Sequence, residues 1–291
     1  MSAIRVGISG WRYEGWRSVF YPKGLRQASE LHFASRAVQS IEINGSHYGL
    51  QSPARFAQWY DDSPEGFVFA VKGPRYLTHM LRFRDETAVV ATANFFASGV
   101  FALREKLGPF LWQFPPSYKF DLEQFESFLR LLPPDTDAAT AFASQHDARV
   151  KSPLITADKQ RRLRHAVEIR HDSFRAPAFV ALLKRYGVAL VISDSTEKWP
   201  HVEDVTADFL YMRLHGTQTR YAGEYSDVAL DGWARRIQTW AAGGQPDDAQ
   251  LIVDNARVKR QKRDVFCYFD NDVKVQAPFD AKRLIERLRG E

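Results

Sequence analysis

Eight short apolar segments alternate along the chain with stretches of helical period, and this alternation limits the fold more than any other feature. Each segment is rich in β-branched or aromatic residues and is bounded by polar, Gly or Pro positions, which is typical of a buried strand. The predicted strands are Ile4–Ser9, Ser40–Asn44, Phe67–Lys72, Phe110–Phe114, Ala166–Arg170, Ala189–Asp194, Phe209–His215 and Val265–Asp270. Strands separated by helices pair in parallel through right-handed crossovers.

The stretches between the strands carry apolar residues at helical spacing; in one of them, Leu122, Phe125 and Leu129 fall on a single stripe. The predicted helices are Leu25–Val38, Pro53–Tyr60, Glu86–Leu103, Asp121–Leu132, Asp137–Gln145, Ala178–Tyr186, Leu230–Trp240 and Asp280–Leu288. Repeated strand–helix units over 291 residues predict an α/β fold, a (β/α)8 barrel of the TIM type with parallel strands inside a ring of helices.

We expect one domain over residues 1–291, with two connections longer than a barrel needs, at 133–164 and 243–264. An open, doubly wound sheet is the alternative. Its dinucleotide-binding form carries Gly-x-Gly-x-x-Gly after a strand, and Gly7-Ile8-Ser9-Gly10 does not have that spacing. The sequence also lacks the Gly-x-x-x-x-Gly-Lys-Ser/Thr loop that binds nucleotide phosphates. The closed barrel is therefore favoured.

Charge and composition predict a cytoplasmic protein that does not act at a membrane. The start of the chain has no signal-peptide pattern, and no window approaches the roughly 20 apolar residues of a membrane span. A single cysteine, Cys267, fits a reducing compartment. The net charge of +5 is a mild excess, and two basic runs, Lys159–Arg164 and Arg257–Arg263, precede strands. We expect solvated surface there, because such runs are commonly solvated, and nucleic acid is possible as a partner but not favoured.

The strands also carry polar side chains on one face. Side chains alternate between the two faces of a strand, so Ile41 and Ile43 lie opposite Glu42. The aliphatic faces are expected to pack under the helices, and the polar faces to point into the barrel. The inward charged residues are Glu42, Lys72, Glu168, Arg170, Arg213 and His215. These cluster toward the carboxyl ends of the strands, where active sites of TIM barrels lie.

Buried charges must pair, bind ions, or meet water and a ligand, so the cluster is predicted to be a binding or catalytic site. A closed network of ion pairs that only fills the barrel is the alternative. We expect His165 to be structural, and the inward direction of Asp194 is left open. The loops add an expected aromatic rim of Trp11, Tyr13, Trp16, Tyr48, Tyr118, Trp199, Tyr221 and Tyr225. Such a rim suits an anionic or hydroxyl-rich small molecule with a ring face.

The predicted catalytic residues are Glu42, Glu168 and His215. The predicted substrate-binding residues are Trp11, Asn44, Tyr48, Lys72, Arg75, His79, Gln113, Arg170, His171, Asp194, Arg213, Tyr221 and Asn271. Two carboxylates in different surroundings can take the roles of acid and base or nucleophile. We therefore expect a hydrolase-like enzyme acting on a sugar- or phosphate-bearing molecule, with Arg and Lys side chains holding its anionic group.

Several motifs in order along the chain resemble those of one family. They include Gly7-Ile8-Ser9-Gly10-Trp11, Ile41-Glu42-Ile43-Asn44, Phe69-Ala70-Val71-Lys72-Gly73-Pro74-Arg75, Trp112-Gln113-Phe114-Pro115-Pro116, Val167-Glu168-Ile169-Arg170-His171, Tyr211-Met212-Arg213-Leu214-His215-Gly216 and Tyr268-Phe269-Asp270-Asn271-Asp272. The chain resembles the YecE-like family, "domain of unknown function 72", from about Arg5 to Leu288. The resemblance implies a TIM-type barrel of bacterial cytoplasmic type without an established activity. The segment Asn44-Gly45-Ser46-His47 departs from the Asn-Ser-Thr-Phe more usual there, and 245–262 resembles an insertion.

Two alternatives to acid–base hydrolysis stay open. No cofactor is predicted, but Glu42, Glu168, Asp194 and His215 could hold a divalent metal in a phosphoesterase or isomerase, although neighbouring Lys and Arg would repel the ion. The other alternative is a protein without catalysis that binds nucleic acid or an anionic metabolite, through the barrel mouth or the basic runs.

Overall fold

The structure is a computed structural model that describes residues 2–83, 86–194, 199–216, 223–254, 260–271 and 275–290. Its strands form a closed barrel in the order β1-β2-β3-β4-β5-β6-β7-β8, with helices around it. The strands are β1 Ile4–Ser9, β2 Ser40–Ile43, β3 Val68–Lys72, β4 Leu107–Gln113, β5 His165–Glu168, β6 Ala189–Ser193, β7 Phe209–Leu214 and β8 Asp264–Phe269. The described strand pairs are parallel. The predicted (β/α)8 fold of the TIM type is confirmed.

The helices are α1 Glu30–Ala37, α2 Gly45–Tyr48, α3 Pro53–Asp62, α4 Glu86–Ala97, α5 Leu122–Arg130, α6 Thr136–Ala143, α7 Pro177–Tyr186, α8 Asp227–Ala241 and α9 Gln276–Arg289. Every helix except α2 overlaps a predicted one, although α1 begins at Glu30, later than the predicted Leu25, and α9 begins at Gln276, earlier than the predicted Asp280. Helix α6 lies in the predicted long connection 133–164. Single turns of 3-10 helix also occur, and a π-helical turn covers Tyr76–Leu81.

Side-chain caps fix where several helices begin. Ser52, Asp121, Asp135 and Ser226 each accept a hydrogen bond from the backbone N–H three residues further on, at the starts of α3, α5, α6 and α8. Such caps satisfy backbone donors that have no partner within the helix.

The predicted helix Glu86–Leu103 is wrong as a single element. Helix α4 ends at Ala97, and a 3-10 segment follows over Val100–Lys106. Gly99 between them has φ of 116°, and a Cβ there would lie 2.5 Å from Cα of Pro53. The helix therefore breaks at Gly99 because the backbone there packs closely on the start of α3. In the described part of the chain, no single helix is long and apolar enough to span a membrane; only these two together, bent by 55°, reach that length and composition.

The chain divides into two compact units. The first comprises residues 1–42 and 175–291, and the second residues 43–174. Within the first unit, β1 pairs with β2 and β8, and β7 pairs with β6 and β8. Within the second, β4 pairs with β3 and β5. The organisation as a single domain stays a prediction.

In the second unit, aromatic rings fill the space between β4 and its helices. Trp112 packs edge-on against Phe95 of α4 and Phe128 of α5, with ring centroids 5.7 and 5.8 Å apart. The indole Nε1 donates to Nδ1 of His165, whose Nε2 donates to the carbonyl of Pro133 at 2.8 Å. The structural role predicted for His165 is confirmed. Because Trp112 faces the helices, Gln113 points into the barrel.

Candidate functional site

Three neighbouring strands of the second unit carry polar side chains at their carboxyl ends. We call Lys72, His79, Gln113, Glu168 and Arg170 the β3–β5 cluster. In the parallel register Gln113 of β4 lies opposite Glu168 of β5. Alternation along each strand sends both side chains inward, as the sequence predicts.

Glu168 is the buried carboxylate of the β3–β5 cluster, with a relative exposure of 1%. Nε2 of Gln113 donates to both of its oxygens at 2.9 Å. Arg170 donates to Oε1 through Nε and Nη2, also at 2.9 Å. These donors fix the orientation of the carboxylate through charge-assisted and neutral hydrogen bonds.

The end of β3 is held in place by α2. Ser46 Oγ donates to the carbonyl of Lys72 at 2.7 Å, and Nδ1 of His47 donates to the carbonyl of Gly73 at 2.8 Å. A Cβ on Gly73 would lie 2.5 Å from the ring of Trp112, so only glycine fits there. Lys72 itself is buried to 8% exposure. The backbone beneath the β3–β5 cluster is therefore rigidly positioned.

His79 lies in the π-helical turn after β3, a type of turn that is frequent at functional sites. Its Nδ1 is 2.8 Å from Oγ1 of Thr78, and its ring centroid is 5.3 Å from that of His47. Burial, and then the positive charges of Lys72, Arg170 and Arg75, lower the pKa of His79 to about 4, while Glu168 opposes this. At neutral pH His79 is thus an uncharged imidazole among cations.

The first unit holds a second group of buried polar side chains, which we call the Glu42 cluster: Ser9, Glu42, Tyr211, Arg213, His215 and Asp270. Glu42 is fully buried. It accepts hydrogen bonds from Ser9 Oγ at 2.5 Å and from the hydroxyl of Tyr211 at 2.6 Å. Arg213 donates to it through Nε at 3.1 Å and Nη2 at 3.0 Å. Burial and the adjacent Glu42 raise the pKa of Tyr211, which stays a donor.

Arg213 also connects Glu42 to a second carboxylate. Its Nη2 lies 3.0 Å from Oδ2 of Asp270, and Nδ1 of His215 lies 3.0 Å from the same oxygen. Asp270 is thus shared by the guanidinium of Arg213 and the imidazole of His215. The predicted residues Glu42, Arg213 and His215 are therefore brought together.

Asp194 secures the segment that follows β7. Its Oδ1 accepts the backbone N–H of His215 at 2.6 Å, and its Oδ2 accepts the hydroxyl of Tyr225. That hydroxyl in turn accepts the N–H of Gly216 at 2.8 Å. Burial raises the pKa of Asp194. These contacts indicate that Asp194 shapes the loop, and the role in substrate binding stays a prediction.

Other predicted binding residues have evident structural contacts. Asn271 is buried and donates to Asp280 at 2.8 Å, which joins the end of β8 to α9. His171 accepts the N–H of Ser173 at 3.0 Å in a 3-10 turn. Asn44 precedes α2, and its carbonyl accepts the N–H of His47 at 3.0 Å. Arg75 is exposed, and Tyr221 lies outside the described residues.

The expected aromatic rim is wrong for most of its described members. Trp11, Trp16, Tyr118 and Tyr225 are buried, whereas Tyr48 is 74% exposed. Trp16 and Tyr118 pack against other aromatic residues, and Tyr225 packs on Phe269 and accepts a loop N–H through its hydroxyl. Tyr118, for example, packs 4.7 Å from Phe114 by ring centroid. Burying such large apolar surfaces stabilises the folded protein, so these rings pack inside the loops instead of facing solvent.

Ser9, Tyr211 and Asp270 belong to the Glu42 cluster but were not among the predicted site residues. Ser9 and Tyr211 share the inward faces of β1 and β7, so the alternation was the signal that could have found them. Asp270 directly follows β8, where a polar residue at the carboxyl end of a strand points to the mouth of a barrel.

Among the described residues, no group of three or more His, Cys, Asp or Glu side chains is placed to hold a metal ion. The structure therefore adds no support to the divalent-metal alternative.

The basic runs differ from expectation in one respect. Arg161 pairs with Asp158 on the surface at 2.6 Å, but Arg263 is only 2% exposed and donates to the carbonyl of Trp240. The second run is thus not solvated throughout; its residues 257–259 lie outside the described part.

Comparisons with known proteins agree on the family. A family model described as "Protein of unknown function DUF72" matches residues 5–291. The UPF0759 protein YunF of Bacillus subtilis (strain 168) is 27% identical over 116 residues, which cover 39% of this chain and only 40% of that protein.

Two solved structures share the fold. A DUF72 family protein from Thermotoga maritima MSB8 has a TM-score of 0.72 and 23% identity over 99% of both chains. A DUF72 family protein from Enterococcus faecalis V583 has a TM-score of 0.68 and 18% identity over 98% of this chain and 95% of that one. At these identities the likeness concerns the fold. Because the family model spans nearly the whole sequence, the chain belongs to the DUF72 family, the same family as the YecE-like one that its motifs resemble.

Proposed function

We propose that the protein is an enzyme that performs acid–base chemistry of the hydrolase type on a small anionic or hydroxyl-rich molecule, and that the β3–β5 cluster is its reaction centre. The observation that carries this proposal is His79, an imidazole kept neutral beside Lys72, Arg75 and Arg170. Perturbed titratable groups beside convergent charges are typical of catalytic sites.

Charge at the β3–β5 cluster favours an anionic group. Lys72, Arg75 and Arg170 contribute three positive charges, whereas Glu168 supplies one negative charge that Arg170 already contacts. Lysine and arginine side chains bind phosphate and carboxylate oxygens with charge-assisted hydrogen bonds. The same cations would stabilise negative charge that develops on an oxygen during hydrolysis of a phosphate ester.

An arriving anion would change the protonation of His79. Burial first, and then the surrounding cations, hold the pKa of the imidazole down; a bound negative charge offsets the effect of the cations and raises the pKa toward the ordinary value of about 6.5. His79 would then accept a proton in the substrate complex more readily than in the free protein. Substrate binding itself would thereby prepare the general base.

The carboxylates take different roles in this proposal. Glu168, oriented by Gln113 and Arg170, is the carboxylate partner of His79 in acid–base steps. Glu42 is surrounded by hydrogen-bond donors, so we assign it to positioning Arg213 instead of transferring a proton. The predicted pairing of Glu42 with Glu168 as acid and base becomes, in this proposal, one reacting carboxylate and one positioning carboxylate.

A second candidate for proton transfer is His215. Its Nδ1 lies 3.0 Å from Oδ2 of Asp270, the arrangement in which a carboxylate orients an imidazole for acid–base catalysis. If the Glu42 cluster is the reaction centre, Asp270→Asn should slow turnover strongly, whereas His79→Gln should not.

The proposed partner is a small molecule and not a nucleic acid. Within the described parts of the two basic runs, Arg161 is paired with Asp158 and Arg263 is buried, which leaves less free positive charge than the sequence alone indicates. A cytoplasmic location remains the prediction from the sequence.

The test is a substrate screen of phosphate monoesters and glycosides, followed by variants of the reacting groups. We expect His79→Gln, Glu168→Gln and Lys72→Met each to lower kcat/KM at least about 100-fold, the usual scale for a lost general base or electrostatic contact. His32→Gln, at an exposed histidine, should keep full activity. Circular dichroism verifies that each variant is folded. Full activity in folded His79→Gln and Glu168→Gln would overturn the proposal, and loss of activity on adding a chelator would favour the metal alternative.

A further inference from the structure

Two adjoining cavities in the second unit form a groove beside the π-helical turn. The first, about 430 Å³, lies between α2, that turn and α4. The second, about 370 Å³, lies between the start of α3 and the segment 149–152. Leu50 and Arg149 line both, so we call the pair the Leu50–Arg149 groove. A groove of this total size is large enough for a small organic ligand.

The first cavity is bordered by apolar side chains that are unusually exposed. Tyr48 is 74%, Met80 63% and Leu50 41% exposed, and Pro74 and the buried Leu77 also line this cavity, together with polar residues such as Asn94. Large apolar side chains that meet at one exposed cavity mark binding surfaces more often than single exposed residues do. A tyrosine, a proline and a thioether around one space offer contacts for a flat ring.

The second cavity is basic. Arg55, Arg149 and Lys151 line it, and no described Asp or Glu side chain lines either cavity. Arg149 is paired with Asp147, which lies outside the lining, so Arg55 and Lys151 supply most of the positive charge that is complementary to an anion. Guanidinium groups match phosphate oxygens in geometry.

Arg149 is fixed at the junction of the two cavities. Its Nε and Nη2 form a forked contact with Asp147, the shorter bond being 2.6 Å. Asp147 is itself held by the buried Asn94, whose Nδ2 donates to Oδ1 at 3.1 Å and whose Oδ1 accepts the backbone N–H at 2.9 Å. This chain of contacts orients the guanidinium before any ligand arrives, which lowers the entropy lost on binding.

We propose that the Leu50–Arg149 groove is a binding site for a nucleoside polyphosphate, with the base in the apolar cavity and the phosphates along the basic one. The exposed apolar side chains of the first cavity and the basic side chains of the second lie in sequence along one groove, and they match the two ends of such a ligand. Arg75 lines the first cavity and also acts on His79, but this inference does not rest on the reaction proposed for the β3–β5 cluster.

Calorimetric titration of the full chain with ADP, adenosine and pyrophosphate tests the proposal, since the last two probes are the separate ends of the first. We expect ADP to bind at least about tenfold more tightly than either end alone, because both halves of the groove then contribute. Ala91→Leu, which fills the apolar cavity, should weaken ADP and adenosine while leaving pyrophosphate unchanged. Arg55→Gln with Lys151→Gln should weaken ADP and pyrophosphate.

Leu122→Ala and Lys119→Gln, exposed positions outside the groove, are the matched controls and should bind ADP as the parent does. Pyrophosphate binding as tightly as ADP, or ADP binding unaffected by Ala91→Leu, would overturn the proposal. ADP binding that is lost in Lys72→Met but kept in the groove variants would place the nucleotide in the β3–β5 cluster. That result would also overturn the proposal that the groove binds the nucleotide, but it would not contradict the proposed enzyme function.

Discussion

A single nitrogen of Gln113 donates to both carboxylate oxygens of Glu168, at 2.9 Å each. The two residues lie opposite each other in the register of β4 and β5, and both are almost fully buried. A buried carboxylate depends on every donor around it, since water cannot replace a lost hydrogen bond. Gln113 is therefore a positioning residue for Glu168.

Gln113→Ala should lower the free energy of unfolding by about 1–3 kcal/mol, the cost of a buried acceptor that loses its donor. Urea unfolding at neutral pH measures the change. Gln27→Ala, at an exposed position, is the control and should stay within about 0.5 kcal/mol of the parent. An equally small effect at Gln113 would mean that Arg170 alone suffices to hold the carboxylate.

The pKa of His79 should be about 4 in the free protein and should respond to nearby charge. Lys72→Met removes the first of the cations that act on it and should raise the pKa, and saturating inorganic phosphate should raise it in the same direction. NMR titration of isotope-labelled histidine measures both changes. Lys119→Met, at an exposed lysine, should leave the pKa where it is. A value that phosphate does not move would contradict anion binding at the β3–β5 cluster.

The barrel could be predicted from the sequence because its signals are local. Apolar runs and helical stripes lie within single elements, so the predicted strands agree with the observed ones to within about three residues at their ends. The break at Gly99 was missed because its cause is the approach of Pro53, far away in the sequence. The helical spacing of apolar residues within Glu86–Leu103 carries no information about that contact.

The sequence could also predict which strand residues point into the barrel, but it could not predict which of these residues contact each other. Alternation placed Glu42 and Arg213 in the barrel, yet their contact depends on strand order and register. The contact of Asp270 with Arg213 depends on the same strand order, and a related limit explains why Tyr118 was expected at the rim. Whether an aromatic residue of a loop packs inward depends on the neighbours that the fold supplies, here Phe114.

His165 should make the folded state sensitive to acid. Its burial lowers its pKa to about 4, whereas in the unfolded chain it titrates near 6.5. Its contribution is fully present above pH 6.5 and is lost as the pH falls toward 4, because the unfolded chain then takes up the proton first. The loss approaches about 3 kcal/mol.

Urea unfolding between pH 7 and 4.5 measures this loss. His165→Gln should flatten the fall in stability between pH 6.5 and 4.5, even though it also lowers stability at pH 7 by disturbing the bond from Trp112. His32→Gln, at an exposed histidine, is the control and should keep the parent's slope. An unchanged slope in His165→Gln would show that other groups cause the acid sensitivity.

Glu42 and Arg213 should be strongly coupled in stability. Arg213 donates twice to the fully buried Glu42, so Arg213→Met leaves a buried charge without its main partner and should cost about 3–5 kcal/mol. In the double variant with Glu42→Gln that charge is gone, and the loss should be clearly smaller than the sum of the single losses. Urea unfolding of the four proteins gives the coupling energy.

The surface pair Arg130 and Glu126, 3.1 Å apart on α5 with side chains 63% and 19% exposed, is the control. Its coupling should not exceed about 0.5 kcal/mol, because water screens both charges and competes for their hydrogen bonds. An equally weak coupling between Glu42 and Arg213 would mean that Asp270 and Ser9 hold the guanidinium without Glu42. Glu42 would then have no positioning role, and its complete burial would have to be explained by Ser9 and Tyr211 alone.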